Sequence, residues 1–159
     1  MIHVIKNSLI DYPGKIAAVL GLPGCNLRCP YCQNPELALA EFPRSTTPFF
    51  PIYKWWDFRK ILSKGFVDAV VFSGGEPTLH NDGLVHTRHG IHIFNMYREI
   101  KKYHNFPIKI DTNGTRPDVI SELIERELID YVALSIKEND ADFYEDSATI
   151  SSEITSRDT

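Results

Sequence analysis

Cys25-Asn26-Leu27-Arg28-Cys29-Pro30-Tyr31-Cys32 comes shortly after Ile16-Ala17-Ala18-Val19-Leu20, a short apolar run bounded by Gly14 and Gly21. The run reads as a buried first strand. A loop at the carboxyl end of such a strand is where α/β folds bind ligands. This loop holds every cysteine of the chain, spaced C-x3-C-x2-C. Three thiolates on one short loop suit a [4Fe–4S] cluster with one iron left open, since complete protein ligation usually takes four. Zinc is the nearest competitor, because structural zinc is four-coordinate and takes Cys or His. No His stands within the loop, so a fourth zinc ligand would have to come from far away. A disulfide framework fits poorly, because three cysteines leave one over and nothing suggests export. Three inert buried thiols would leave the clustering unexplained. Pro30 and Pro35 keep the loop irregular. Tyr31 is placed to lie against a ligand, or to shield a cluster from water.

The chain has 159 residues, and one domain spanning 1–159 is expected. Its net charge of −4 gives no electrostatic footprint for nucleic acid. No apolar run approaches the roughly 20 residues needed to span a membrane. Met1-Ile2-His3-Val4-Ile5-Lys6 lacks the apolar core and cleavage site of a signal peptide. A cytoplasmic protein is expected, in a compartment where thiols stay reduced and hold iron.

Beyond the loop, Glu36 opens a short helical pattern that three prolines interrupt within 42–51. A helix is expected over 52–64, with Trp55, Phe58 and Leu62 on one apolar stripe and Gly65 as its stop. Of the paired Trp55 and Trp56, at least one is expected in the core. Val67-Asp68-Ala69-Val70-Val71-Phe72 reads as a second buried strand, ending in Ser73-Gly74-Gly75-Glu76-Pro77, a tight turn into the next segment. The stretch 80–92 carries His80, His86, His89 and His92, which suits a solvated loop better than a metal site. Ile93, Tyr97, Ile100 and His104 follow helical spacing. A third strand over 107–110 ends in Asp111-Thr112-Asn113-Gly114. Pro117 starts a helix whose buried face is Ile120, Leu123, Ile124 and Leu128, and a fourth strand follows over 129–136. From Glu138 the chain is polar and no fifth strand is evident. The alternation argues for parallel strands with helices outside. Four strands cannot close an eight-stranded barrel, so the expected fold is α/β, a partial open (β/α) barrel.

The loop and its surroundings resemble the radical S-adenosylmethionine (SAM) superfamily. They are most similar to its activating enzymes of glycyl-radical proteins, above all the type that serves anaerobic ribonucleoside-triphosphate reductase. The resemblance rests on Ser8-Leu9-Ile10-Asp11-Tyr12-Pro13-Gly14-Lys15, on 24–37 with the cysteine loop, on Phe72-Ser73-Gly74-Gly75-Glu76-Pro77-Thr78, and on Asp111-Thr112-Asn113-Gly114. It runs from about 7 to about 139, broken at 80–92, where the family passes more directly to the next helix. Three motifs in the right order are far more specific than one.

The resemblance implies that Cys25, Cys29 and Cys32 hold the cluster. It implies that Gly74, Gly75 and Glu76 hold the methionine amino group of SAM, with Tyr31 beside it. Asp111 would be a polar or cation contact by the SAM carboxylate or ribose, and Asn113 would border the same ligand. Ser135 stands where the family usually has an acid; a hydroxyl hydrogen-bonds but supplies no charge. Lys137 matches a family lysine that would face the SAM carboxylate. Relatives often continue with more β/α units, so the chain is expected to be short or cut off at its carboxyl end.

The chemistry implied is reductive cleavage of SAM to methionine and a 5′-deoxyadenosyl radical, which removes a hydrogen atom from a glycine of the partner enzyme. An electron donor such as flavodoxin or ferredoxin is implied, and neither nucleic acid nor membrane. The stretch 42–56, aromatic and rich in proline, is an expected docking surface for the partner. Other readings stay open: an activase of pyruvate formate-lyase, a radical SAM enzyme acting on a small molecule, or a non-catalytic iron–sulfur module. The glycine turn speaks against the last, since electron transfer needs no amine-binding site.

Overall fold

The computed structural model describes residues 2–39, 52–53, 55–64, 66–82 and 93–136. Its strands are β1 (Ile2–Ser8), β2 (Ala17–Leu22), β3 (Ile52–Tyr53), β4 (Ala69–Gly74), β5 (Ile108–Thr112) and β6 (Tyr131–Leu134). Its helices are α1 (Pro35–Ala38), α2 (Trp55–Leu62), α3 (Ile93–His104) and α4 (Pro117–Glu125), with a 3₁₀ helix over Pro77–Asp82. They form one six-stranded sheet in the order β3-β1-β2-β4-β5-β6.

The strands β2, β4, β5 and β6 are parallel neighbours in chain order, as the alternation in the sequence implies. The order never reverses, unlike that of a doubly wound sheet, so the crossover helices α2, α3 and α4 fall on one face. Residues of α2, α3 and α4 accordingly share a single core with one side of the strands: Phe58, Tyr97 and Leu123 pack with Leu20, Phe72 and Ile110. The opposite face is smaller, formed by Ala17, Val19, Ala69 and Val71 under the ring of Tyr12. The Tyr12 ring lies 6.1 Å from that of Tyr131, so it reaches across this face from one side of the sheet to the other.

Two antiparallel strands that the sequence reading did not anticipate extend the sheet beyond β2. β1 pairs with β2 through His3–Gly21, Val4–Leu20 and Ile5–Val19, and β3 pairs with β1. Ile2 and Val4 enter the helix-side core on a period of two. Ile52 and Tyr53, expected to open the second helix, form β3 instead, and the helix begins at Trp55. Trp55 is buried and Trp56 is half exposed, so the core takes one of the pair. At the other edge β6 is exposed on both faces.

Candidate functional site

A cavity of about 290 Å³ opens at the carboxyl ends of β2, β4, β5 and β6. It brings together Cys25, Cys29, Tyr31 and Cys32 from the loop after β2, Gly74, Gly75 and Glu76 from the turn ending β4, Asp111 and Asn113 from the end of β5, and Ser135 past β6. Residues about 110 positions apart in sequence thus border one space. Lys137, His86, His89 and His92, and the expected docking stretch up to 51, lie outside the described residues.

The two glycines of the turn serve different needs. Gly74 has a φ of 119°, a conformation that only glycine adopts without strain, and a Cβ there would stand 2.4 Å from the Leu22 nitrogen. At Gly75 the obstacle is the chain itself, because a Cβ would lie 1.9 Å from the Gly24 carbonyl oxygen. That close approach is fixed by hydrogen bonds: Gly75 N–H donates to the Leu22 carbonyl at 2.8 Å and Glu76 N–H to the Gly24 carbonyl at 2.7 Å. Gly24 N–H in turn donates to the Leu37 carbonyl at 2.8 Å. Gly24, just before the first cysteine, is therefore held between the glycine turn and α1.

Glu76 is 1% exposed, and its carboxylate is occupied by the protein. Oε1 accepts from the Thr78 N–H, the Thr78 hydroxyl and the Thr112 hydroxyl at 3.1, 2.6 and 2.8 Å, and Oε2 accepts from the Asn113 N–H at 2.7 Å. Three donors thus converge on Oε1 and one reaches Oε2. The carboxylate thereby ties the β4 turn to the end of β5. Hydrogen bonds to both oxygens offset the cost of burying the carboxylate.

Asn113 carries the link onward. Its side-chain N–H₂ donates to Asn26 Oδ1 at 3.0 Å and reaches Cys25 Sγ at 3.9 Å. Its Oδ1 accepts from the Thr115 N–H at 3.0 Å and the Thr115 hydroxyl at 2.7 Å, and Asn26 Nδ2 donates to Thr115 Oγ1 at 2.9 Å. Asn26, Thr78, Thr112 and Thr115 escaped the sequence reading. Asn and Thr beside a strand end signal only a turn, and nothing in the order of residues announces a contact across some 88 positions.

Burial pushes the Cys25 thiol up; the Leu27 N–H and the Arg28 guanidinium oppose that, and the Glu76 carboxylate adds to it. Arg28 also braces the loop, donating to the carbonyls of Cys25 at 2.7 Å and Leu27 at 3.0 Å. Cys32 is exposed and Tyr31 is 56% exposed at the open rim. Asp111 borders the cavity, but its charge is already met by Lys109 Nζ at 2.7 Å, which also donates to the Asp11 carbonyl at 2.6 Å. Ser135 N–H donates to the Thr112 carbonyl at 2.8 Å, which sets the β6 end beside β5. His80 is 5% exposed and donates a ring N–H to the Pro23 carbonyl, holding the 3₁₀ helix against the start of the cysteine loop.

Among the described residues no three of His, Cys, Asp or Glu converge closely enough to hold a single ion. A cluster makes no such demand, since each thiolate takes a different iron, and the three thiols around one cavity fit it. A thiol-lined cavity over a glycine turn, at the carboxyl ends of parallel strands, defines a β/α domain built to hold a thiolate-ligated cofactor and a small ligand together. The chain belongs to the radical SAM superfamily, whose family model matches residues 19–154. Members of that superfamily use a [4Fe–4S] cluster and SAM.

Among curated proteins, the chain is 44% identical over 137 residues to a Methanocaldococcus jannaschii protein named "Putative glycyl-radical enzyme activating enzyme", covering 84% of this chain and 48% of that one. It is 31% identical over 144 residues to the pyruvate formate-lyase-activating enzyme of Clostridium pasteurianum, covering 90% of this chain and 55% of that one. The chain thus spans about half the length of the curated relatives it matches. The solved structure of QueE from Escherichia coli overlays with a TM-score of 0.47 at 20% identity, over 72% of this chain and 54% of that one. No helix among the described residues is long and apolar enough to cross a membrane.

Proposed function

We propose that this chain is the cluster-bearing and SAM-binding part of a glycyl-radical enzyme activating enzyme, and that its target is the glycine loop of an anaerobic ribonucleoside-triphosphate reductase. One observation carries the reading: the three thiols and the glycine turn border the same cavity. Cys25, Cys29 and Cys32 would hold the cluster through their three thiolates. When bound, the reduced cluster supplies the electron that splits SAM into methionine and a 5′-deoxyadenosyl radical.

The chain's own residues place that chemistry. The turn at Gly74 and Gly75 is rigid because Gly24 and Leu22 pin it, so its backbone carbonyls are fixed acceptors for the ligand amine. Asp111, neutralised by Lys109, offers the ribose a polar neighbour without an uncompensated charge. Ser135 offers a hydroxyl at the far wall. The face beyond β6 is open among the described residues, and a partner's loop entering there would itself exclude water from the radical. The activating type has the support of the relative that is 44% identical. The choice of reductase rests on the likeness of Asp11-Tyr12-Pro13-Gly14-Lys15 and the cysteine loop to that branch. A lyase target is the second reading, favoured by the 31% identical relative from Clostridium pasteurianum.

The test is anaerobic incubation of the reconstituted chain with SAM, dithionite and each candidate partner, read by electron paramagnetic resonance. A glycyl doublet on the reductase is expected. A doublet on the lyase alone would replace the named target. Cleavage of SAM with no radical on either protein would point to a small-molecule substrate, and a reducible cluster that never cleaves SAM would point to a non-catalytic module.

A further inference from the structure

The strongest unassigned feature is the side-chain amide of Asn113. It stands at the junction of the three structures that build the site. Its backbone N–H is held by buried Glu76 at 2.7 Å, its Oδ1 is held by Thr115 at 2.7 and 3.0 Å, and so its N–H₂ is directed at the cysteine loop. There it meets Asn26 Oδ1 at 3.0 Å and Cys25 Sγ at 3.9 Å, a separation that the large sulfur radius allows. Cys25 is also the cysteine that the backbone approaches, through the Leu27 N–H at 3.4 Å.

Each partner restricts the amide. With Oδ1 engaged by two donors of Thr115, a flip of the amide would set N–H₂ against those donors and Oδ1 against the Asn26 oxygen. The orientation that points N–H₂ at sulfur is therefore the one that satisfies every group. Glu76 acts at one remove: by holding the Asn113 N–H it fixes where the side chain starts.

We propose that Asn113 is a positioning residue for the cluster rather than a contact for SAM: its amide donates to the Cys25 sulfur and raises the reduction potential of the cluster. This rests on the reading of Cys25 as a cluster ligand. Hydrogen bonds to ligand sulfur stabilise the more electron-rich reduced state, and they are among the levers that set cluster potentials. The reaction concerned is the uptake of one electron by the oxidised cluster from an external reductant, with no bond made or broken in the protein.

The experiment reconstitutes the chain, Asn113→Leu and Asn113→Asp under anaerobic conditions, and titrates each cluster against potential with dithionite and redox dyes. Leu removes the donor at similar volume. Asp keeps an oxygen for Thr115 and turns the donor into an acceptor. Both variants should take up iron as the parent does. Both should be harder to reduce, the equilibrium constant falling about tenfold, which is about 59 mV for one electron. The drop should be larger for Asp, which adds a charge. A potential in Asn113→Leu equal to that of the parent would overturn the proposal. So would the loss of the cluster from both variants while the fold is kept, because tuning one ligand is not needed for assembly. A parent chain that takes up no cluster would sink the functional reading and this inference together, whereas a normal parent with unmoved variants would sink this inference alone.

Discussion

Glu76 has hydrogen-bond partners that its place in the sequence does not announce. Its place after two glycines marks it as part of a motif, yet four protein donors take its carboxylate. Two of those donors come from Thr112 and Asn113, more than 30 positions away, and no spacing rule reports them. Glu76→Gln keeps the shape but sets an N–H₂ against donors that need an acceptor. We expect a loss of about 1–3 kcal/mol in unfolding free energy, the cost of leaving a buried donor unmet, measured by urea denaturation. A Gln variant as stable as the parent would show that the hub contributes nothing net. Gly75→Ala should act differently from a blocked ligand pocket. The added methyl overlaps the Gly24 carbonyl, so the cysteine loop must move, and iron uptake should fall before any SAM is added. Normal iron content with weakened SAM binding would restore the simpler view of Gly75 as ligand space.

Among the elements, the parallel strands and their helices were readable because each carries a strong period. Phe58 and Leu62 on α2, and Tyr97 and Ile100 on α3, enter one core as the helical stripe requires. β1 and β3 were not readable for the opposite reason. β1 offers just two core-facing residues on its alternation, Ile2 and Val4, and β3 is two residues long. Their pairing comes from the neighbouring strand, not from their own pattern. The packing of α3 on β4 offers a sharp test. Tyr97 and Phe72 stack with ring centres 4.0 Å apart, and Tyr97 Oη is buried with no hydrogen-bond partner among the described residues. Tyr97→Phe removes an unpaired polar group and keeps the ring, so stability should be unchanged or higher. Phe72→Ala should cost about 3–5 kcal/mol. If Tyr97→Phe proves destabilising by more than 1 kcal/mol, the hydroxyl has a partner, such as a buried water, and the account of this contact is wrong.

At the scale of the whole molecule, the described histidines share one response to acid. His3, His80 and His104 all titrate below the usual 6.5, chiefly because burial penalises the charged ring. All three are neutral in the fold at pH 7. As pH falls through 6.5, the unfolded chain binds protons that the folded chain resists, so stability falls with pH from there downward. The urea midpoint of the cluster-free chain should drop between about pH 7 and pH 5.5. His80→Gln should flatten that slope, since Gln can still donate to Pro23 but does not titrate. An equal slope in that variant would assign the acid response to other groups. The overall architecture was legible because a β/α alternation is a property of the entire chain. Of the site, the lining residues Tyr31, Asp111, Asn113 and Ser135 were legible along with the cysteines and the glycine turn, whereas the hydrogen bonds between strand ends were not.

The cysteine loop is half-buried at one end and exposed at the other. Gly24 and Cys25 are tied to the turn, to α1 and to Asn113, while Cys32 stands at the exposed rim. This asymmetry sets an order of chemical attack on the chain before iron is added. Thiolates, not thiols, react with iodoacetamide, and burial disfavours the thiolate at Cys25. Brief alkylation followed by peptide mass spectrometry should label Cys32 first and Cys25 last. The same order would govern damage by oxidants, which would reach the loop from its exposed side and strip the outermost ligand before the more buried one.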